Sequence, residues 1–222
     1  MTSGRPVLPR PPAAVLFDFG GVLTDSPLHA FAVYEQQAAL PHGLLRLMNS
    51  TDPDTNAWAR YERRDIDETG FVELFEAEAA ALGHRVDART VLGLLELDLR
   101  PEMVRALHRL HEAGIPLALL TNNVRPIQPA GGLHALLDYF DVVIQSSVEG
   151  VRKPETAFYA RALQRLGDLP ASHVVFLDDL GVNLKPARAM GMTTIKVTEP
   201  IAALRALSAL VGLDLASPGV TQ

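Results

Sequence analysis

Short apolar stretches alternate with helix-patterned ones along most of this chain. Residues 13–18, 117–120, 141–145, 174–177 and 193–197 are rich in Val, Leu, Ile, Phe and Ala, and each reads as a β-strand. Before the second strand, a helix beginning near Pro101 carries Met103, Leu107 and Leu110 at helical spacing. Further helices are predicted at 133–139, 155–166, 184–190 and 200–210. Strand and helix in alternation predict an α/β fold, a parallel sheet with helices on both faces.

Between residues 26 and 97 the rhythm changes. The pattern there is helical throughout (30–39, 43–48, 55–63, 70–82 and 88–95), with no convincing strand. About seventy helical residues exceed what one crossover helix requires. They predict a helical cap at 26–97, inserted after the first strand into a core made of 13–25 and 98–215. Four prolines in the first twelve residues predict a disordered lead-in at 1–12, and residues 216–222 read as a loose tail. The start lacks the apolar core of a signal peptide, and no run approaches the roughly 20 apolar residues of a membrane span. A soluble, cytoplasmic protein without a membrane partner is expected.

Composition narrows the chemistry. Of 222 residues, 48% are hydrophobic and 21% charged, ordinary for a globular protein. The net charge of −6 argues against a nucleic-acid partner. The absence of cysteine excludes thiol catalysis, disulfides and thiolate metal sites, and fits the cytosol.

Polar groups gather where strands end. The first strand closes on Asp18 and a Gly20-Gly21 turn, the second on Thr121-Asn122-Asn123, and the fourth on Asp178-Asp179; Lys153 follows the third. In open α/β sheets ligands bind at these carboxyl ends. Asp18 suits a nucleophile that accepts a phosphoryl group. Such a carboxylate needs a metal beside it to offset repulsion from the phosphate, and Asp178 and Asp179 supply the hard oxygens that Mg²⁺ prefers. Thr121 offers a hydroxyl and Lys153 a compact positive charge. Each residue alone is an ordinary cap or turn residue; the four in order on successive βα units point to phosphate and divalent-metal chemistry. His108 and His111 have a metal-ligand spacing but sit among Arg105, Arg109 and Glu112, as on a solvated face. The charged run Arg60, Arg63, Arg64, Asp65 and Asp67 reads as exposed surface or as cleft lining, and Trp58 and Tyr61 as cap core. No G-x-G-x-x-G accompanies the glycine pair, and no lysine between 26 and 97 is available for Schiff-base chemistry.

These segments resemble the four motifs of the haloacid-dehalogenase-like hydrolase superfamily. The likeness is sharpest in Ser147-Val148-Glu149-Gly150-Val151-Arg152-Lys153-Pro154-Glu155 and in residues 176–188. Those resemble the phosphatase-like N-terminal domain of soluble epoxide hydrolase, and still more the phosphatase-like domain joined to a kinase-like domain in an acyl-CoA dehydrogenase family. The resemblance implies a Rossmann-like core and a Mg²⁺-dependent phosphohydrolase acting on a small phosphorylated metabolite. It implies that Asp18 is nucleophile and metal ligand, with Asp179 the second carboxylate ligand and Asp178 close by. The carbonyl of Gly20 would complete the metal site. Thr121 and Asn122 would hold the phosphoryl oxygens, Lys153 would neutralise them, and Asn183 would orient a neighbour. A homodimer or a kinase-like partner protein is the association it suggests.

One departure stands out. Most phosphatases of the superfamily carry a second Asp two residues after the nucleophile, where this chain has Gly20. The metal loses no ligand, but the general acid for the leaving alcohol disappears, a contribution typically of about 10²–10⁴-fold. Asp25 either substitutes for it or begins the linker to the cap. A catalytically weakened domain that binds Mg²⁺ and a phosphorylated ligand and serves a partner protein is the alternative reading.

Overall fold

The computed structural model describes residues 11–95, 98–127 and 132–218. Most of the expected lead-in (1–10) and the end of the expected tail (219–222) lie outside the described residues. Five strands form one parallel sheet: β1 (Ala14–Phe17), β2 (Leu117–Thr121), β3 (Val142–Gln145), β4 (Val174–Asp178) and β5 (Thr193–Lys196), in the order β3-β2-β1-β4-β5. β1 is therefore central, flanked by β2 and β4, so Asp18, Thr121 and Asp178 end neighbouring strands.

Alternation along the strands divides the core. Val15, Phe17, Leu117 and Leu119 face helices α6 (Pro101–Glu112) and α11 (Pro200–Val211), where Met103, Leu107, Leu110, Leu204 and Leu207 close the layer. Ala14, Leu16, Ala118 and Leu120 face α9 (Thr156–Arg165) and α10 (Gly181–Ala189), which contribute Phe158, Tyr159, Leu184 and Ala187. The three inner strands β1, β2 and β4, covered on both faces, are buried along their whole length, whereas the edge strand β5 buries only Ile195. β2 and β4 extend one residue beyond the apolar run, to Thr121 and Asp178, because their ladders continue through polar residues. α10 begins three residues earlier than its apolar spacing indicates, since Asp178 Oδ1 accepts the Leu180 N–H at 2.8 Å and fixes the entry turn. α7 spans Gly132–Leu137, and the single turn α8 (Ser146–Glu149) was not expected.

The insert contains α1 (Pro27–Gln37), α2 (Leu44–Ser50), α3 (Ala57–Glu62), α4 (Glu68–Ala81) and α5 (Ala88–Gly93). Ser26, Asn56, Asp67 and Asp87 cap α1, α3, α4 and α5 with side-chain oxygens. α2 begins at Gly43, which has no side chain to give; buried Glu35 reaches from α1 and accepts the N–H groups of Gly43 (2.7 Å) and Leu45 (2.8 Å). The helices enclose an aromatic core: Trp58 lies 4.8 Å from Phe71 and Phe71 5.1 Å from Phe75, with Tyr61 stacked on Phe71. Trp58 and Tyr61 are thus core residues.

The chain enters and leaves the insert side by side. Thr24 bridges Leu99 antiparallel, Asp25 N–H donates to the Asp98 carbonyl, and Arg100 N–H donates to the Leu23 carbonyl. Asp25 belongs to this linker, its exposed carboxylate 3.4 Å from Arg100 Nε. His108 and His111 are set against the Tyr139 ring, and His108 Nδ1 lies 3.2 Å from Glu112. No described helix is long and apolar enough to cross a membrane.

The turn after β1 needs glycine at one position. Gly21 has φ +77°, and a Cβ there would stand 2.3 Å from Asp179 Oδ2. Left-handed backbone costs a non-glycine residue about 1–2 kcal/mol, and the clash adds to that. Gly21→Ala is expected to lower the thermal midpoint by at least roughly 2–4 °C, since 1 kcal/mol moves a domain of this size by about that much. A midpoint within 1 °C of the native protein's would show that the turn relaxes freely.

Candidate active site

Lys153 is the centre of the site. Its side chain is 1% exposed, and its Nζ lies 2.7 Å from Asp18 Oδ1 and 2.8 Å from Asp178 Oδ2. The ammonium also sits 5.7 Å from the centre of the Phe176 ring. The Asn122 side chain fixes the Lys153 backbone: Oδ1 accepts the Lys153 N–H at 2.8 Å and Nδ2 donates to its carbonyl at 3.0 Å.

The carboxylates differ in what surrounds them. Asp18, at the end of β1, accepts the Phe19 N–H at 2.6 Å. Asp178 is wholly buried; besides Lys153 and the Leu180 N–H, Asn183 Nδ2 lies 3.1 Å from each of its oxygens. The Asn183 carbonyl in turn accepts the Tyr159 hydroxyl at 2.7 Å. Asp179 is half-buried, facing Gly21. One oxygen from each of Asp18, Asp178 and Asp179 falls within 4.8 Å of the others, and among the described residues no other group of three or more metal-ligating side chains converges in this way.

Three carboxylates face one ammonium, and the protonation equilibria record the imbalance. Burial raises Asp18 well above the ordinary carboxylate range; Lys153 opposes this in part, and Asp178 and Asp179 add to it. Burial and the neighbouring Asp178 raise Asp179 from 3.8 to about 6. Burial alone would depress Lys153, but Asp178 and Asp18 more than offset it and hold the amine above its ordinary value. The site thus keeps a permanent cation and an excess of negative charge that a further cation would neutralise.

Thr121 is buried at the end of β2, with its hydroxyl 3.3 Å from the Asn122 carbonyl. Gly20 has an open environment: a Cβ there would meet nothing within 4 Å, and its φ lies outside the glycine-favouring range. The expected site residues Asp18, Asn122, Lys153, Asp178, Asp179 and Asn183 therefore form one contiguous assembly, with Thr121 and Gly20 on adjoining strand-end turns. Asp25 is bound to the linker instead.

Several contributors escaped the sequence reading. Asn123 ties the loop after β2 to the start of α8: it accepts from the Ser147 hydroxyl (3.0 Å) and N–H (3.2 Å), while its own N–H donates to the Ser146 hydroxyl (2.9 Å). The polar run Gln145-Ser146-Ser147 at the end of β3 was the available signal. Arg152, 9% exposed, pairs with Glu62 of the insert; nothing local in the sequence marks that partnership, which spans 90 positions.

Comparison with known proteins agrees with this geometry. A family model described as haloacid dehalogenase-like hydrolase matches residues 12–191. Acyl-CoA dehydrogenase family member 10 of Mus musculus is 34% identical over 207 residues, covering 91% of this chain but 19% of its own length. A sesquiterpene phosphatase of Aspergillus oryzae is 30% identical over 203 residues, covering 90% of this chain and 96% of its own. Bifunctional epoxide hydrolase 2 of Sus scrofa is 31% identical, with 91% of this chain and 39% of the relative covered. Among solved structures, a HAD family enzyme of Bacteroides thetaiotaomicron in complex with magnesium and inorganic phosphate shares the fold. It superposes with a TM-score of 0.53 at 18% identity, over 82% of this chain and 92% of that one. The parallel sheet, the helical insert after β1 and the family match together place this chain among the haloacid dehalogenase-like hydrolases.

Proposed function

We propose that the protein is a Mg²⁺-dependent phosphohydrolase that transfers a phosphoryl group from a small phosphorylated metabolite to Asp18 and then to water. The observation that carries this reading is the convergence of Asp18, Asp178 and Asp179 beside Lys153 at the carboxyl ends of β1 and β4. Phosphatase names among the relatives support it.

The donor set fits Mg²⁺: all the side-chain ligands are hard carboxylate oxygens, and the cluster carries more negative charge than Lys153 offsets. Asp18 and Asp179 would hold the ion, together with the carbonyl of Gly20. Asp178 is occupied by Lys153, Asn183 and the Leu180 N–H, which makes it the residue that orients the lysine. Bound there, Mg²⁺ supplies the positive charge that lets a phosphate dianion approach a carboxylate.

The chain's own groups do the remaining work. Asp18 attacks phosphorus and forms an acyl phosphate as the alkoxide or carboxylate leaves. Lys153 neutralises charge on the phosphoryl oxygens, and the Thr121 hydroxyl and the Asn122 segment hold them in line. Water then attacks the acyl phosphate, releasing phosphate and restoring Asp18. With Gly20 in place of an acid, the leaving group takes its proton from solvent, so acyl and aryl phosphates turn over best. The cap, for which we propose residues 26–97, closes over the site and selects the substrate. A cavity of about 410 Å³ between the cap and the loop after β2, lined by Tyr61, Arg64, Asp67, Glu68, Val124 and Arg125 among others, includes none of the acidic-cluster residues in its lining.

Phosphate release from p-nitrophenyl phosphate and acetyl phosphate tests the reading. It is expected to require Mg²⁺ and to fall at least about 10³-fold in Asp18→Asn, the loss that removing a catalytic nucleophile brings. Activity surviving that substitution would refute the mechanism. Because Gly20 has room for a side chain, Gly20→Asp is expected to raise turnover of alkyl phosphates by roughly 10–100-fold, part of what general acid catalysis supplies. No gain would show that proton delivery is not limiting. A native protein that binds Mg²⁺ yet releases no phosphate from either ester would favour the binding-module reading.

Mg²⁺ should also stabilise the fold in a pH-dependent way. A carboxylate raised in the folded state favours folding below its ordinary value of 3.8, and that contribution is lost as pH climbs through about 6. The rise at Asp179 corresponds to on the order of 2–3 kcal/mol of strain at neutral pH, which a bound cation relieves. The shift of the unfolding midpoint on adding Mg²⁺ is therefore expected to be small at pH 5 and to grow by pH 7.5. A pH-independent shift would mean that the cation binds elsewhere.

A further inference from the structure

Two crossed ion pairs join the cap to the residues on either side of Lys153. Arg152 Nε lies 2.5 Å from Glu62 Oε2, at the end of α3, and Arg152 Nη1 donates to the Pro53 carbonyl at 2.9 Å. Arg63, the next cap residue, donates from Nη1 to Glu155 Oε1 at 3.2 Å and from Nη2 to the Asp54 carbonyl. The same Glu155 oxygen accepts the Arg152 N–H at 3.3 Å, and the Glu155 N–H donates to the Arg152 carbonyl at 2.8 Å. The turn that carries Lys153 is thus closed on itself and gripped from the cap, while Asn122 grips its backbone from the core.

Neither pair belongs to the acidic cluster, and the mechanism above makes no use of them. Their burial is nevertheless costly: Arg152 is 9% exposed and the Glu62 side chain 15%. Removing two charges from water at such depth gains little net stability over apolar packing, so the benefit of such a pair lies in fixing geometry. What it fixes is the position of the cap relative to the residues flanking the buried lysine.

We propose that Glu62, Arg63, Arg152 and Glu155 form a clasp that makes the setting of Lys153 depend on the seating of the cap. Arg152 and Glu62 are positioning residues: they touch neither Asp18 nor the phosphoryl site, and act through the turn at 152–155. The role assigned to Lys153 rests on the function proposed above. When the clasp opens, the lysine loses one of the two restraints on its backbone; when it closes, cap and ammonium are set together. A misplacement of about 1 Å in such a group costs on the order of 10²-fold in rate.

The test compares native protein with Glu62→Gln, Arg152→Gln and the double variant, with p-nitrophenyl phosphate as substrate and hydrogen–deuterium exchange at residues 150–156 as a readout independent of activity. Each single variant is expected to lower kcat by roughly 10–100-fold with KM changed less than threefold, within the penalty for misplacing a catalytic group. Glu62→Gln, though made in the cap, is expected to speed exchange at 152–155 in the core. The double variant should be no worse than the weaker single one, because both break the same link. If Arg152→Gln does not fold, Glu62→Gln alone carries the test. A kcat within twofold of native in Glu62→Gln, unchanged exchange at 152–155, or losses that multiply in the double variant would overturn the clasp. If the native protein hydrolyses nothing, the proposed function fails, and the exchange measurement still decides the clasp.

Discussion

A single buried ammonium holds the site together. Lys153 Nζ lies within 2.8 Å of Asp18 and Asp178, on neighbouring strands, and the lysine is all but excluded from solvent. Three carboxylates crowded at the end of a hydrophobic sheet would repel one another and take up protons. The lysine pairs with two of them, opposing the rise at Asp18 only in part, and leaves Asp179 raised to about 6 by burial and its neighbour Asp178. Most other features of the site serve that arrangement: Asn183 and the Leu180 N–H aim Asp178, Asn122 fixes the lysine backbone, and Gly21 leaves room for Asp179.

The sheet order explains why the groups meet. β1 is central and carries the nucleophile candidate; β2 and β4 flank it and bring Thr121 and Asp178 to its sides. The inner strands β2, β1 and β4 must be apolar because helices cover both their faces, and their polar residues therefore gather where they end. The helical insert leaves and rejoins the core through one antiparallel bridge, Thr24 to Leu99, and has its own aromatic core. Beyond that bridge, the Arg152–Glu62 and Arg63–Glu155 pairs hold it to the turn that carries Lys153.

Much of this was legible in the sequence for a physical reason. Short runs such as Val15-Leu16-Phe17 and Val174-Val175-Phe176-Leu177, β-branched or aromatic and set between helix-patterned segments, read as doubly covered strands, and the carboxylates that end them stand out against their apolar surroundings. The insert was legible because seventy helical residues cannot fit one crossover. Elements fixed by side-chain reach were not. The turn α8 depends on Asn123 bonding Ser146 and Ser147, and α2 starts where it does because Glu35 reaches from another helix. The Arg152–Glu62 pair joins residues 90 positions apart, and one charged side chain among many gives no sign of its partner. Gly20 is a different case: the missing carboxylate was visible at once, but only the structure shows that its place is sterically open.

The measurement that reaches the chemistry most directly is acid-quench trapping of the protein with ³²P-labelled acetyl phosphate in the presence of Mg²⁺, followed by digestion and peptide mapping. Hydroxylamine-sensitive label on the peptide containing Asp18, formed before phosphate reaches its steady rate of release, is the expected result. Steady phosphate release with no labelled protein, or label on a different residue, would contradict the assignment of Asp18 as the nucleophile.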